Sequence, residues 1–259
     1  MRKLNKEVNV CISAAMSENT KRYPSFHDLS PREYMYFPKA TMDLGKPGRF
    51  SRLELAHLAT AMIVLTIAFS FALSRTNLLM VLLGSSLSLP RFIEGLGLSF
   101  IGIVCAFFFH ELAHKIMAQS YGLWSEFRMY PRGLLSALIL SGLTGFLFAA
   151  PGSVMFRGET RPFEEGRIAV AGSSANLIIA SLILPILFFV TFEREGFLAK
   201  SIGYICIINT VLAVFNLLPF GQLDGRVVFK WNSTIWSILF IIAVILLAIL
   251  FPYITTLFS

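Results

Sequence analysis

The spacing of the charged residues constrains this chain more than any other feature. Between them lie seven charge-free runs: 55–74, 76–90, 95–110, 133–156, 168–192, 201–223 and 231–259. Five of the seven reach 20 residues or more. At a rise of about 1.5 Å per residue, such a run is enough helix to cross the ~30 Å hydrocarbon core of a bilayer. In lipid only helices and closed barrels satisfy every backbone N–H and C=O. The chain therefore reads as an all-α polytopic membrane protein with about six transmembrane helices.

Composition agrees and excludes other classes. Only 14% of the residues are charged and 56% are hydrophobic, against about a quarter charged in a soluble domain. That is incompatible with a disordered tail, a charged coiled coil or a disulfide-stapled secreted module. The three cysteines, Cys11, Cys105 and Cys206, imply no disulfide framework, because the set is odd and two lie inside apolar runs. The net charge of +7 reflects basic residues kept in cytoplasmic loops rather than nucleic-acid binding.

Residues 1–54 hold ten of the 22 basic residues and read as a polar, cytoplasmic N-terminal extension. They contain no short apolar stretch with a cleavage site, so no signal peptide is expected. Residues 55–259 form the membrane domain. Run 76–90 is too short to cross comfortably and reads as a re-entrant or interfacial piece. Run 133–156 is interrupted by Gly142, Gly145 and Pro151-Gly152. If it does not cross, 18 basic residues lie inside and four outside; if it crosses, the split is 15 against seven. The positive-inside bias therefore predicts a re-entrant segment, with a short helix from Leu134 and a small β-hairpin running through Phe146–Ala150 and Ser153–Phe156. Irregular backbone at that depth is tolerated only against protein or water.

The sequence His110-Glu111-x-x-His114 lies in the apolar span near 96–119. On a helix, positions i and i+4 share a face, so both imidazoles can reach one metal ion. Glu111 sits beside that face, where a carboxylate can take a proton from an activated water. Ionisable groups in a membrane span are costly and therefore functional by default. Two histidines leave a zinc site incomplete. Glu94 and Asp224 are the candidates for a third ligand. Glu94 lies at the far end of its span. Asp224 reaches the depth of the histidines if run 133–156 is re-entrant. His57 reads as an interfacial histidine, and the stem of Lys115 is expected to snorkel to the cytoplasm.

His110-Glu111-x-x-His114 in a membrane helix, with Asn216-Leu217-Leu218-Pro219 and Asp224-Gly225 further along, resembles the site-2 protease family of intramembrane zinc metalloproteases. The stretch Gly172-Ser173-Ser174-Ala175-Asn176 is similar to a further family signature, with Ser173 standing where proline is usual. The likeness covers about residues 96–230 and is nearest to the compact prokaryotic and archaeal members without a PDZ domain. It implies one Zn2+ per chain held by His110, His114 and Asp224, with Glu111 as the catalytic base. It further implies that Asn176 and Asn216 contact substrate or a developing oxyanion. The expected partners are a transmembrane protein substrate and the lipid bilayer of the cell membrane, with no nucleic acid. The competing reading is a metal-binding membrane protein without catalysis, such as a transporter or sensor.

Overall fold

The computed structural model describes residues 50–145, 151–189 and 196–257. Helix α1 (Arg52–Leu73) begins at Ser51, whose hydroxyl accepts the Glu54 backbone N–H at 3.0 Å and so caps an otherwise unpaired donor. A five-residue helix α2 (Leu78–Leu82) follows; it is far too short to cross, as expected for run 76–90. Helix α3 (Leu89–Ile103) passes through a π-helical turn (Val104–Phe108) into α4 (Phe109–Ser120). Then come strand β1 (Trp124–Met129), helix α5 (Pro131–Thr144), strand β2 (Gly152–Arg157) and the long helix α6 (Pro162–Phe189). Helices α7 (Phe197–Asn216), α8 (Asp224–Trp231) and α9 (Ser233–Leu257) complete the chain. Among the described residues, five helical segments are long and apolar enough to cross a membrane, close to the count of about six read from the runs. The protein is a multi-pass, all-α membrane protein carrying a small two-stranded sheet.

The helices pack through small side chains. Ala180 of α6, Ala213 of α7 and Ala243 of α9 are fully buried in one cluster, with Leu177, Leu217 and Leu250 filling the space between them. Small residues let helix backbones approach closely, which supplies the van der Waals contact that holds helices together in lipid. A second cluster joins Leu58, Ala61 and Leu65 of α1 to Ile103, Phe107 and Phe127, so β1 is anchored on α1 and on the π turn.

The sheet settles how run 133–156 behaves within the fold. Strands β1 and β2 are antiparallel, from Trp124 opposite Arg157 to Met129 opposite Gly152. The Tyr130 N–H donates to the Pro151 carbonyl at 2.9 Å. The segment between them therefore leaves and returns at one point. Its helix α5 has 14 residues, about 21 Å, which falls short of the hydrocarbon thickness. The partner of β2 differs from expectation: it is β1, whose paired residues lie 23 to 33 positions earlier in the chain, while Phe146–Ala150 lie outside the described residues. Strand β1 carries Glu126 and Arg128, two charges beside an apolar core. In the fold these two charges pair with each other, and Phe127 turns into the core.

Candidate metal centre

Three elements bring the candidate ligands together. Helix α4 presents His110 and His114 one turn apart on a single face. Helix α6 crosses that face with Gly172 at the closest point: a Cβ there would lie 2.7 Å from Cε1 of both imidazoles, and closer still to His114 Nε2. Asp224 arrives from α8. Helix α7 stops at Asn216 ahead of Pro219, which cannot continue it. The chain then turns through Gly221, at φ +67°, where a residue without a Cβ is favoured. Gly225 packs against the end of α7, with the Leu217 and Leu218 carbonyls where its Cβ would be. The Trp236 indole N–H donates to the Leu217 carbonyl at 2.7 Å, capping one of the free acceptors at that helix end. The tight reversal between α7 and α8 puts Asp224 in the first turn of α8, against the histidines.

The ligand atoms form a near-equilateral triangle. His110 Nε2 lies 3.0 Å from His114 Nε2, and Asp224 Oδ2 lies 3.3 Å and 3.1 Å from those two nitrogens. Both imidazoles are buried and the aspartate is mostly so. The protons on the rings are set by their other nitrogens. His114 Nδ1 donates to the Ile168 carbonyl at 2.7 Å, an atom that can only accept. His110 Nδ1 faces Asn176 Oδ1 at 2.6 Å, while the Asn176 amide nitrogen donates to the Ala106 carbonyl at 3.0 Å. In neutral imidazole the proton sits on one nitrogen only. Two bare Nε2 atoms and a carboxylate oxygen therefore converge, and Asp224 Oδ2 has no hydrogen-bond partner. Three acceptors at such separations require a cation among them. Tetrahedral zinc with ligands at roughly 2.0–2.1 Å spaces them about 3.3 Å apart, so the donor set fits that ion. Asp224 itself lies outside the five membrane-length helices.

Glu111 borders this group. It is buried, one of its oxygens has no partner, and the Val154 backbone N–H of β2 bonds to its carboxylate. Together with Val154, Phe108, Leu112 and Phe127 it lines a small, mainly apolar cavity. Asn176 sits behind His110 with its amide fully engaged by His110, Ala106 and the Asn209 side chain, which leaves no donor for a substrate oxyanion. Asn216 ends α7, half-buried, and takes no part in the hydrogen bonds around the two histidines. Glu94 is far from the group in role: it pairs with Lys200 of α7 at 2.6 Å.

Lys115 does not snorkel. Its ammonium is buried and donates to both Glu54 oxygens at 2.7 Å and to the Ser125 carbonyl at 3.0 Å. Glu54 also accepts the Phe127 N–H at 3.0 Å. This ion pair ties α1, the ligand helix α4 and strand β1 at one point. Glu54 sits at the edge of the first charge-free run and Lys115 directly after His114, so each reads in sequence as an end-of-helix charge. A pairing across 61 positions is set by helix packing and leaves no local signal.

No family model matches the chain, and no solved structure matches it. Two proteins of known name do. One, from Methanocaldococcus jannaschii, is named "Putative zinc metalloprotease"; it is 37% identical over 194 residues, which is 73% of this chain and 90% of that protein. The other, of the same name and from Synechocystis, is 28% identical over 129 residues, half of this chain and 29% of that protein.

Proposed function

The chain belongs to the zinc metalloprotease family of its Methanocaldococcus jannaschii relative, and on that premise we propose that it is of the site-2 protease type and hydrolyses a peptide bond within or next to a transmembrane segment of a membrane-anchored protein. The observation that carries this reading is the buried triangle of His110, His114 and Asp224, its two histidines on a membrane-length helix, with an unpartnered carboxylate oxygen of Glu111 beside it. A zinc ion bound by those three residues would supply a Lewis acid that acidifies water and polarises a carbonyl. Ile168 and Asn176 hold the two imidazoles in the tautomer that leaves Nε2 available, which also fixes the ring planes. Glu111 accepts the proton of the attacking water at its unpartnered oxygen and later delivers it to the leaving amine. The hydrogen bond from Val154 keeps its other oxygen in place.

The substrate must expose its backbone, because a helical segment hides each carbonyl in its own hydrogen bonds. Among the described residues strand β2 pairs with β1 along one edge only, and its Val154 N–H bonds to Glu111. Addition of an unwound substrate segment to that free edge would lay it across the catalytic carboxylate. The distribution of basic residues supports a cytoplasmic orientation of residues 1–54 and of the loop after β2. The cell membrane is the compartment proposed.

The test uses purified protein and a single-span substrate in proteoliposomes. Glu111→Gln should retain one zinc per chain and lose at least ~10²-fold in cleavage, the lower end for removing a general base. Near-native cleavage by that variant contradicts the mechanism. A non-catalytic metal protein would show no cleavage by either form.

A further inference from the structure

Asn209 is fully buried in the interior of α7 and touches no candidate ligand. An amide in a membrane helix is costly unless its hydrogen bonds are met. Its Nδ2 donates to the Ile205 carbonyl at 2.8 Å. A carbonyl only accepts, so the Asn209 amide is fixed with its Oδ1 toward α6, where Asn176 Nδ2 donates to it at 2.9 Å. The same Asn176 nitrogen donates to the Ala106 carbonyl at 3.0 Å. With both amide protons committed, only Asn176 Oδ1 can meet His110, at 2.6 Å. Two backbone carbonyls thus dictate the direction of every bond in the series. The outcome is a proton on His110 Nδ1 and a bare Nε2 toward His114 and Asp224.

Ala106 adds a second observation. It lies in the π turn Val104–Phe108, directly before α4. An extra residue in one helical turn rotates everything after it by roughly 100°, and such turns recur at functional sites. The direction in which His110 faces therefore depends on that turn. Asn176 bonds both the turn and the imidazole.

We infer that Asn209 is a positioning residue: through Asn176 it locks the tautomer and ring orientation of His110 and pins the π turn that aims it, so the metal site is set before the ion arrives. This rests on the reading of His110 as a metal ligand. If the two amides were only interhelical contacts, removing one would leave the metal site unchanged.

The experiment uses the full chain, purified and stripped of metal, as the native sequence, Asn209→Leu and Asn209→Asp. Zinc affinity is measured by chelator competition, and the d–d absorption of the Co2+-loaded protein reports ligand geometry. Leucine has similar size but cannot accept. Aspartic acid, neutral when buried, keeps one acceptor and one donor in the required places. Asn209→Leu should bind zinc at least ~10-fold more weakly, the usual effect of removing a group behind a ligand, with an altered cobalt spectrum. Asn209→Asp should keep a native spectrum and lose much less affinity. Should Asn209→Leu yield no folded protein, Asn209→Ser, too short to reach Asn176, is read by the same criterion. The inference is overturned if the non-accepting variant matches the native protein, or if the aspartate variant is as weak as it. A native protein that binds no zinc defeats the metal-site reading itself, whatever the variants do.

Discussion

Gly172→Ala adds one methyl group at the closest approach of α6 to the ligand helix, and the structure sets the scale of the result. The new carbon would lie 2.7 Å from Cε1 of both His110 and His114. Carbon packs at about 3.5 Å from its neighbours, and His114 Nε2 would be only 2.3 Å away, so the rings or the helices must separate by about 1 Å. Metal–ligand distances tolerate about 0.2 Å. Neither ring can simply swing away, because each is held through Nδ1, His110 by Asn176 and His114 by the Ile168 carbonyl. Zinc affinity should fall at least ~10–100-fold, and peptide cleavage by about 10²-fold, as for a misplacement approaching 1 Å in a catalytic group. The metal-free fold should survive, since alanine is favoured over glycine inside a helix by about 1 kcal/mol. Chelator competition measures the first effect, and thermal unfolding of the metal-free protein measures the last. Gly142→Ala is the matched control, because its Cβ would meet only the Phe71 ring, 4.0 Å away. Native zinc affinity in Gly172→Ala would refute the claim that α6 packs directly on the ligand face at Gly172.

Other outcomes follow from the same geometry. Asp224→Ala leaves two imidazoles, too few protein ligands for a stable zinc site, so metal content and cleavage should both be lost; metal analysis after dialysis checks this. Lys115→Met strands the Glu54 carboxylate in a buried site and should cost ~3–5 kcal/mol in denaturant unfolding, with part regained by adding Glu54→Gln. A cysteine at position 160 should label from the cytoplasmic face and one at position 196 from the opposite face, given the basic residues Arg157, Arg161 and Arg167 around the first. Labelling of position 160 from outside would remove the proposed orientation.

The charge-free runs made the long helices readable, because lipid imposes a minimum length on any helix that crosses it. His110 and His114 were legible because helix periodicity alone puts them on one face, with Glu111 beside it. Asp224 was legible through the spacing of Asn216, Pro219 and Asp224-Gly225 and through the depth expected for it, an argument with which the return of β2 to β1 agrees. What stayed hidden depends on packing between distant segments. Strand β1 carries two charges that neutralise each other across one turn of the pleat. The Glu54–Lys115 pair spans 61 positions. Asn176 reads as a group for substrate until the bonds to His110, Ala106 and Asn209 account for its whole amide. The π turn before His110 has no sequence mark, since Val104–Phe108 would suit an ordinary helix equally well.

The position of the cut bond tests the central claim most directly. Purified zinc-loaded protein is incubated in proteoliposomes with a single-span substrate, and both products are weighed by mass spectrometry. The account predicts one principal cut inside the hydrophobic segment or within a few residues of its end, abolished by a zinc chelator and restored by added zinc. A cut confined to the soluble part of the substrate, or one indifferent to the chelator, would contradict it.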